Sequence, residues 1–161
     1  MKYFITTTLL LWWATIMQAQ EKDVSANRQI VEAKNYIFKA QSVNPQRGRS
    51  RQLTSEYDLV VTSDSVIAWL PYFGRAYTAP INSSEGGIKF ASAEFEYTVK
   101  KKKKRSFDIV IKPKDVNDIQ ALYLTIFDNN KATLRVNSVN RESISFNGYI
   151  IEGKEKDKKA F

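Results

Sequence analysis

Apolar and polar residues alternate over most of the chain beyond residue 35, with the two-residue period of half-buried β-strands. The first such segment is residues 36–41, where Tyr36, Phe38 and Ala40 face one way and the residues between them face the other. The stretch Val43–Gly48 contains a proline and a glycine. It is therefore predicted to break this strand and to lead into a polar loop.

Three β-hairpins are predicted after this strand. The paired segments are 57–61 with 66–70, 95–99 with 107–111, and 121–127 with 133–139. In the second hairpin, pairing Val99 with Phe107 places the apolar residues on one face and makes Lys102–Lys104 the turn. In the third, Asn129 and Asn130 tolerate the left-handed backbone of a tight turn. Residues 143–151 add a last strand.

Residues 25–34 have a different pattern, a weak helical period that Ser25 can cap. Short strands separated by polar turns, with one helix before them, indicate an antiparallel sheet covered by that helix. The fold class is therefore predicted as α+β but mostly β, a meander of about seven or eight strands with a short N-terminal helix packed on it. Residues 20–152 form one domain, and residues 153–161 form a charged polar tail.

The first residues have the pattern of an export signal. Lys2 precedes the uncharged and largely apolar segment Tyr3–Met17, and Ala19 offers a small residue for cleavage before polar residues follow. The apolar segment is shorter than the roughly 20 residues that a membrane-spanning helix needs. We therefore predict that residues 1–19 are a signal peptide and that the protein is exported to the periplasm or the outer cell surface. An uncleaved N-terminal anchor is the alternative.

The residue types that the chain lacks exclude several kinds of chemistry. It contains no histidine and no cysteine, so catalysis by a Ser-His-Asp or Cys-His arrangement, histidine or thiolate metal sites and disulfides are excluded. None of its six glycines lies in a phosphate-binding pattern. The sequence predicts no catalytic residue, no metal site and no cofactor.

Carboxylate chemistry is what remains for an enzyme. Glu94 and Glu96 share one face of a predicted strand, about 7 Å apart, and two carboxyl groups at such a distance can cleave a glycosidic bond. A glycan hydrolase is therefore the alternative function. The simpler interpretation is a solvated strand face whose charges are balanced by Lys100 and Arg105.

The net charge of +8 is concentrated in two places, the run Lys100–Arg105 and the tail Lys154–Lys159. The run could bind an anionic lipid or a polysaccharide phosphate, although a solvated turn that protects a sheet edge explains it as well. Nucleic acid is not an expected partner, because its recognition normally interleaves basic residues with aromatic ones. Export would also separate the protein from nucleic acid.

The densest aromatic segment is residues 69–77. Its candidate binding residues are Trp69, Tyr72, Phe73, Arg75 and Tyr77. They could form a platform of rings for a sugar or a peptide, with the arginine as polar anchor. Alternatively, they form a hydrophobic corner that closes the core. We expect the second arrangement for Trp69, because a lone tryptophan between Ala68 and Leu70 in a strand usually packs in the interior.

Three blocks of sequence resemble a known family. They are Leu70–Ala76 (LPYFGRA), Gly86–Phe90 (GGIKF) and Asn140–Gly148 (NRESISFNG). They are similar to an uncharacterised domain-of-unknown-function family of small secreted proteins from Bacteroides-type bacteria. The resemblance implies an exported domain of a Gram-negative bacterium, and it implies no activity and no functional residues.

Taken together, these patterns predict a secreted, non-enzymatic binding or interaction module. The expected partner is a glycan, a peptide or an anionic component of the cell envelope. After cleavage of the signal peptide, the chain is not expected to span a membrane.

Overall fold

A computed structural model describes residues 27–77, 86–102 and 106–153, and it shows a mostly β domain with one short helix over residues 27–32. No helix among the described residues combines the length and the apolar character of a membrane span. Ten strands are present in these three ranges. They are β1 (Tyr36–Pro45), β2 (Arg51–Gln52), β3 (Asp58–Val61), β4 (Val66–Leu70), β5 (Ile88–Ser92), β6 (Phe95–Lys101), β7 (Phe107–Pro113), β8 (Ile119–Ile126), β9 (Lys131–Ser138) and β10 (Ile144–Glu152).

All ten strands belong to one antiparallel sheet, in the order β5-β4-β3-β1-β10-β9-β8-β7-β6, with β2 paired to β1. The edge strands β5 and β6 follow one another in the chain, and only Ala93 and Glu94 separate them. The two edges of the sheet are therefore brought together, and the curved sheet is nearly barrel-shaped.

The pairing of β1 with β10 contains a β-bulge. Ala40 lies opposite Gly148 and Ser42 lies opposite Asn147, so Gln41 is the extra residue. The strands approach so closely here that a Cβ on Gly148 would collide with the carbonyl oxygen of Lys39. A glycine at position 148 is therefore required by the close approach of the two backbones.

The core lies on the concave side of the sheet and is lined by the inward residues of each strand. The largest fully buried side chains include Tyr36, Phe38, Phe146, Leu59 and Leu122. The helix contributes Val31, which is fully buried in the same cluster. This confirms the predicted mostly β fold with a helix packed on the sheet.

A pair of tyrosines ties the helix to the sheet across the core. The hydroxyl of Tyr97 donates to the carbonyl of Val31 at 3.1 Å, and it lies 3.1 Å from the hydroxyl of Tyr36. Because Tyr97 already donates its proton, Tyr36 donates to Tyr97. Burial raises the pKa of Tyr97 to about 12, and burial raises the pKa of Tyr36 well above its usual value.

The corner between β5 and β6 is held by one carboxylate. Asp115 accepts hydrogen bonds from the Ser92 hydroxyl at 2.5 Å and from the backbone N–H groups of Ala93 at 2.8 Å and Glu94 at 3.3 Å. These bonds lower the pKa of Asp115, and the Ser92 bond is the largest cause. The carboxylate thus fixes the point where the two edges of the sheet meet.

The predicted hairpins are present, with two differences. The first and third have the predicted pairs of strands, and Asn130 has a φ of 62°, the left-handed conformation expected in that turn. The predicted register of the second hairpin is wrong by two residues, because Val99 lies opposite Ile109 and Lys101 lies opposite Phe107. A shift of two keeps every side chain on its predicted face.

The strand count is higher than predicted because two strands gave weak signals. β2 has only two residues, and β5 follows a pair of glycines. The predicted break at Val43 is also wrong, because β1 continues to Pro45. The bulge at Gln41 changes the alternation there, so that Val43 returns to the core. The predicted signal peptide and most of the charged tail lie outside the described residues.

The close contact at Gly148 generates a prediction about stability. Gly148→Ala should lower the free energy of unfolding by more than about 2 kcal/mol, because its Cβ would collide with backbone that cannot move freely. Gly86→Ala is the control, since a Cβ on Gly86 meets nothing within 4 Å, and it should change stability by less than about 0.5 kcal/mol. Urea unfolding of both variants measures this difference. Equal stability of the two variants would contradict the bulged register.

Candidate functional site

Trp69 projects from the outer face of the sheet. In β4, Val66, Ala68 and Leu70 point into the core, so the residues between them point outward. The side chain of Trp69 is 43% exposed. The expectation that Trp69 is buried is therefore wrong, because strand alternation outweighs the usual preference of a large ring for the interior.

Two rows of residues cross the outer face at this point. The aromatic–charged row contains Tyr149, Lys39, Asp58, Trp69 and Lys89, each opposite the next on neighbouring strands. The apolar row beside it contains Ile151, Ile37, Val60, Ile67 and Ala91, also in direct register. Trp69 therefore stands beside an apolar strip and among charged groups.

A cavity of about 310 Å³ lies between these rows, and we call it the Trp69 groove. Its lining residues are Glu56, Asp58, Val60, Ile67 and Trp69. The two aliphatic side chains come from the apolar row, and the two carboxylates lie on the β3 side. The groove thus combines an apolar surface, an aromatic ring and hydrogen-bond acceptors, which is the composition of many small-molecule and peptide sites.

The carboxylates of the Trp69 groove share one ammonium group. Nζ of Lys39 lies 2.7 Å from Oδ2 of Asp58 and 3.4 Å from Oε2 of Glu56. Partial burial acts to lower the pKa of Lys39, but the hydrogen bond and the charge of Asp58 outweigh it and leave the pKa raised. The other oxygen of Asp58, Oδ1, is buried and has no hydrogen-bond partner among the described residues.

Cations lie over two of the exposed rings. Nζ of Lys89 lies 4.0 Å from the ring centre of Trp69, and the guanidinium carbon of Arg51 lies 5.0 Å from that of Phe73. Such contacts stabilise a ring position by about 0.5–1 kcal/mol at exposed sites. Lys89 borders a second cavity of about 330 Å³ that Trp69 separates from the Trp69 groove.

The segment after β4 crosses from β4 to the β9–β10 connection. Ala76 forms a bridge with Arg141, and the N–H of Tyr77 donates to Asn140. The Tyr72 hydroxyl lies 2.9 Å and 3.0 Å from the carbonyl oxygens of Arg75 and Glu142, and donates its proton between them. Burial raises the pKa of Tyr72, and the charge of Glu142 adds to this. Tyr72 therefore fixes this crossing.

The five predicted binding residues do not form one platform. Trp69, Tyr72 and Phe73 border the second cavity together. Arg75 and Tyr77 are exposed and lie where the chain pairs with residues 140–142. The aromatic segment thus divides into an outward ring, Trp69, and a crossing segment that holds the end of the sheet.

The three sequence blocks meet at that crossing. Nη1 of Arg141 donates to the carbonyl of Gly87 at 2.9 Å, and its Nη2 lies 3.1 Å from Asp118. The guanidinium also lies 5.3 Å from the ring centre of Tyr72. One arginine therefore joins the first block, the second block and the β7–β8 connection.

The two acids of the alternative catalytic pair are both exposed, and they do not share a strand, because Glu94 lies in the corner before β6. Glu96 lies 3.0 Å from Nζ of Lys114, whose hydrogen bond and charge lower the pKa of Glu96. This matches the interpretation of a solvated face with paired charges, although the partner is Lys114 and neither of the two expected basic residues. Within the described ranges, no group of three potential metal ligands occurs.

The basic run is only partly described. β6 ends at Lys101, and Lys102 pairs with Asp108 at the start of β7. Residues 103–105 lie outside the described residues. The proposed interaction of this run with anionic lipid or phosphate stays a prediction.

The sequence did not single out the carboxylates of the groove. Glu56 precedes the predicted strand 57–61 and Asp58 lies within it, and nothing local distinguishes these two residues from other surface acids. One signal was present, because Val60 and Ile67 are apolar residues at outward positions of the first hairpin. Apolar residues on both faces of a hairpin indicate that its outer face also makes contacts, with another part of the protein or with a ligand.

These features define a β-rich domain built on one curved antiparallel sheet. The family model described as a domain of unknown function (DUF4251) matches residues 18–150, and the chain belongs to this family. The resemblance of the three blocks to such a family is thereby confirmed. No curated protein matches the chain.

A solved relative has the same fold. A crystal structure of a DUF4251 family protein from Bacteroides eggerthii superimposes with a TM-score of 0.58 at 15% sequence identity. The match covers 83% of this chain and 88% of the other. At this identity the likeness concerns the fold alone.

The exposure of Trp69 generates a second prediction. Protein lacking residues 1–19 contains Trp69 as its single tryptophan, and its fluorescence should be readily quenched by acrylamide. Trp69→Ala should lower the free energy of unfolding by less than about 2 kcal/mol, whereas truncation of a buried side chain costs about 2–5 kcal/mol. Leu70→Ala is the control at the adjacent inward position. Protected fluorescence, or a Trp69→Ala loss as large as that of Leu70→Ala, would place the ring in the core.

Proposed function

We propose that this protein is a non-enzymatic binding module of the periplasm or cell surface, and that the Trp69 groove is its binding surface. The observation that carries the proposal is the half-exposed ring of Trp69, set between an apolar strip and two carboxylates. Exposed aromatic rings in a concave site supply contact area at low entropic cost.

The charges of the groove favour a ligand with a positive group on an apolar body. Glu56 and Asp58 share the ammonium of Lys39, and Lys89 lies over the Trp69 ring at the edge of the neighbouring cavity. The lining of the groove itself therefore carries two carboxylates and no cation. A basic peptide segment fits this surface, because its Lys or Arg can donate to the exposed carboxylate of Glu56 while a neighbouring apolar side chain packs on Trp69.

The ionisation of the candidate catalytic carboxyl group supports a binding function over a hydrolytic one. A general acid must hold a proton near neutral pH, and Lys114 favours the ionised form of Glu96 by lowering its pKa. Glu96 therefore lacks the environment that raises a carboxyl pKa for proton donation.

The export part of the proposal rests on residues 1–19. A single cation, an uncharged apolar segment and a small residue before a polar stretch are the three parts of a secretory signal. A core that needs no disulfides folds equally well after export.

The experiment uses two capped peptide libraries of the same length. In one, Lys or Arg stands next to Leu or Phe; in the other, Gln replaces each cation. Calorimetric titration should detect binding of the first library and weaker, salt-independent binding of the second, since exposed charge interactions weaken with ionic strength. Trp69→Ala should weaken binding by at least about tenfold, and Glu56→Gln by about three- to tenfold.

Tyr123→Ala is the matched control, because Tyr123 is an exposed outer-face ring on β8, away from the groove. It should leave the affinity unchanged. Failure of both libraries to bind, or equal affinity of Trp69→Ala and the parent protein, would overturn the proposal.

A further inference from the structure

A larger groove lies on a different part of the outer face, across β1, β10 and β9. Its volume is about 590 Å³, compared with about 310 Å³ for the Trp69 groove. We call it the amide groove. Its lining residues are Gln41, Ser42, Gln52, Phe127, Asp128, Asn129, Lys131, Ala132, Thr133, Asn147 and Gly148.

The β-bulge of β1 builds this groove. It places Ser42 opposite both Asn147 on β10 and Gln52 on β2. Asn147 lies opposite Thr133 on β9, which completes a row of uncharged polar side chains over four strands. Gln41, the bulged residue, is exposed beside this row. Bulges often direct a side chain towards a functional site.

The floor of the groove includes Gly148 and Ala132. They lie opposite each other on β10 and β9, and both occupy inward, buried positions of their strands. They therefore contribute main chain rather than side chains to the groove, between the outward side chains of the neighbouring residues Asn147 and Thr133.

The side-chain amides of the groove have donor and acceptor groups that make no hydrogen bond within the described residues. Oδ1 of Asn147 accepts from the hydroxyl of Thr133 at 3.2 Å, and the Asn147 amino group makes no hydrogen bond in the part of the chain that the structure describes. The side-chain amides of Gln41 and Gln52 make no hydrogen bond within the described residues. Each of these amides offers donors and an acceptor in one plane.

The rest of the lining is close to neutral and carries one ring. Asp128 and Lys131 contribute one charge of each sign. Phe127, which is 43% exposed, stands at the end of the groove formed by the β8–β9 turn. A strongly anionic or cationic ligand therefore finds no excess of opposite charge here.

We propose that the amide groove binds a neutral oligosaccharide. Sugar hydroxyls both donate and accept hydrogen bonds, as the amides and hydroxyls of this groove do. The C–H face of a sugar ring can pack on Phe127, as apolar groups pack on exposed aromatic rings. The volume lies within the range of small-ligand sites, about 300–1,000 Å³.

This site is distinct from the Trp69 groove. None of the residues that line one groove lines the other. The amide groove spans the β1–β10 junction and extends to β2 and β9, whereas Trp69 lies on β4, two strands from β1. The two proposals can therefore fail separately.

The test uses neutral hexasaccharides of α-glucan, β-glucan, xylan and mannan as probes, with a uronic-acid hexasaccharide as the charged comparison. At least one neutral probe should bind with a Kd below about 1 mM. Asn147→Ala and Gln52→Ala should each weaken that binding at least about fivefold, and high salt should leave it unchanged.

Two control variants separate a site-specific effect from other causes. Gln120→Ala removes an exposed amide on β8 outside the groove, and Trp69→Ala removes the ring of the other site. Both should retain full saccharide affinity, and thermal melting should confirm that all variants fold. Absence of binding to every neutral probe, preference for the acidic probe, or unchanged affinity of Asn147→Ala and Gln52→Ala would each overturn the proposal. Loss of saccharide binding in Trp69→Ala would assign the ligand to the other groove.

Discussion

The antiparallel pairing of β1 with β10 is the contact on which the rest of the sheet depends. On one side of this pair, β3, β4 and β5 follow β1 in the sheet. On the other side, β9, β8, β7 and β6 follow β10. Each of these halves is a meander of neighbouring strands, and the β1–β10 ladder joins them into one sheet. Because the paired residues are 99 to 116 positions apart in the chain, this contact closes a very long loop.

The register of that ladder determines which side chains meet on the outer face. On one side of the bulge it aligns Tyr149, Lys39 and Asp58, which leads to Trp69. Beyond the bulge it aligns Asn147 with Ser42. A sheet with its core on one face commonly leaves the other face to solvent. Here that outer face carries an apolar row, an aromatic–charged row and an uncharged polar row, and the two grooves lie among them.

The hairpins could be predicted because their signals are local. Alternation and turn residues within each hairpin, at residues 57–70, 95–111 and 121–139, specify it, as in the turn at Asn130. The alternation of Val66, Ala68 and Leu70 also predicts that Trp69 points outward. The prediction of burial instead followed the usual preference of a large ring for the interior. The hydrophobic preference of one residue is a weaker guide than the period of the whole strand.

The grooves could not be predicted in the same way. Asn147 and Gln52 become neighbours of Ser42 only through the bulge and through pairing between distant segments. Likewise, Glu56 and Asp58 acquire their relation to Lys39 from the β1–β3 pairing. Such contacts depend on register, and a slip of one residue would turn these side chains to the opposite face.

The register of β1 against β10 is therefore the most direct quantity to measure. Cross-strand nuclear Overhauser effects in isotope-labelled protein report it residue by residue. The bulged ladder predicts contacts between Lys39 and Tyr149 on one side and between Ser42 and Asn147 on the other. Contacts between Gln41 and Asn147 and between Ser42 and Phe146 would instead show a regular ladder, which would remove the amide groove and contradict the arrangement of the outer face.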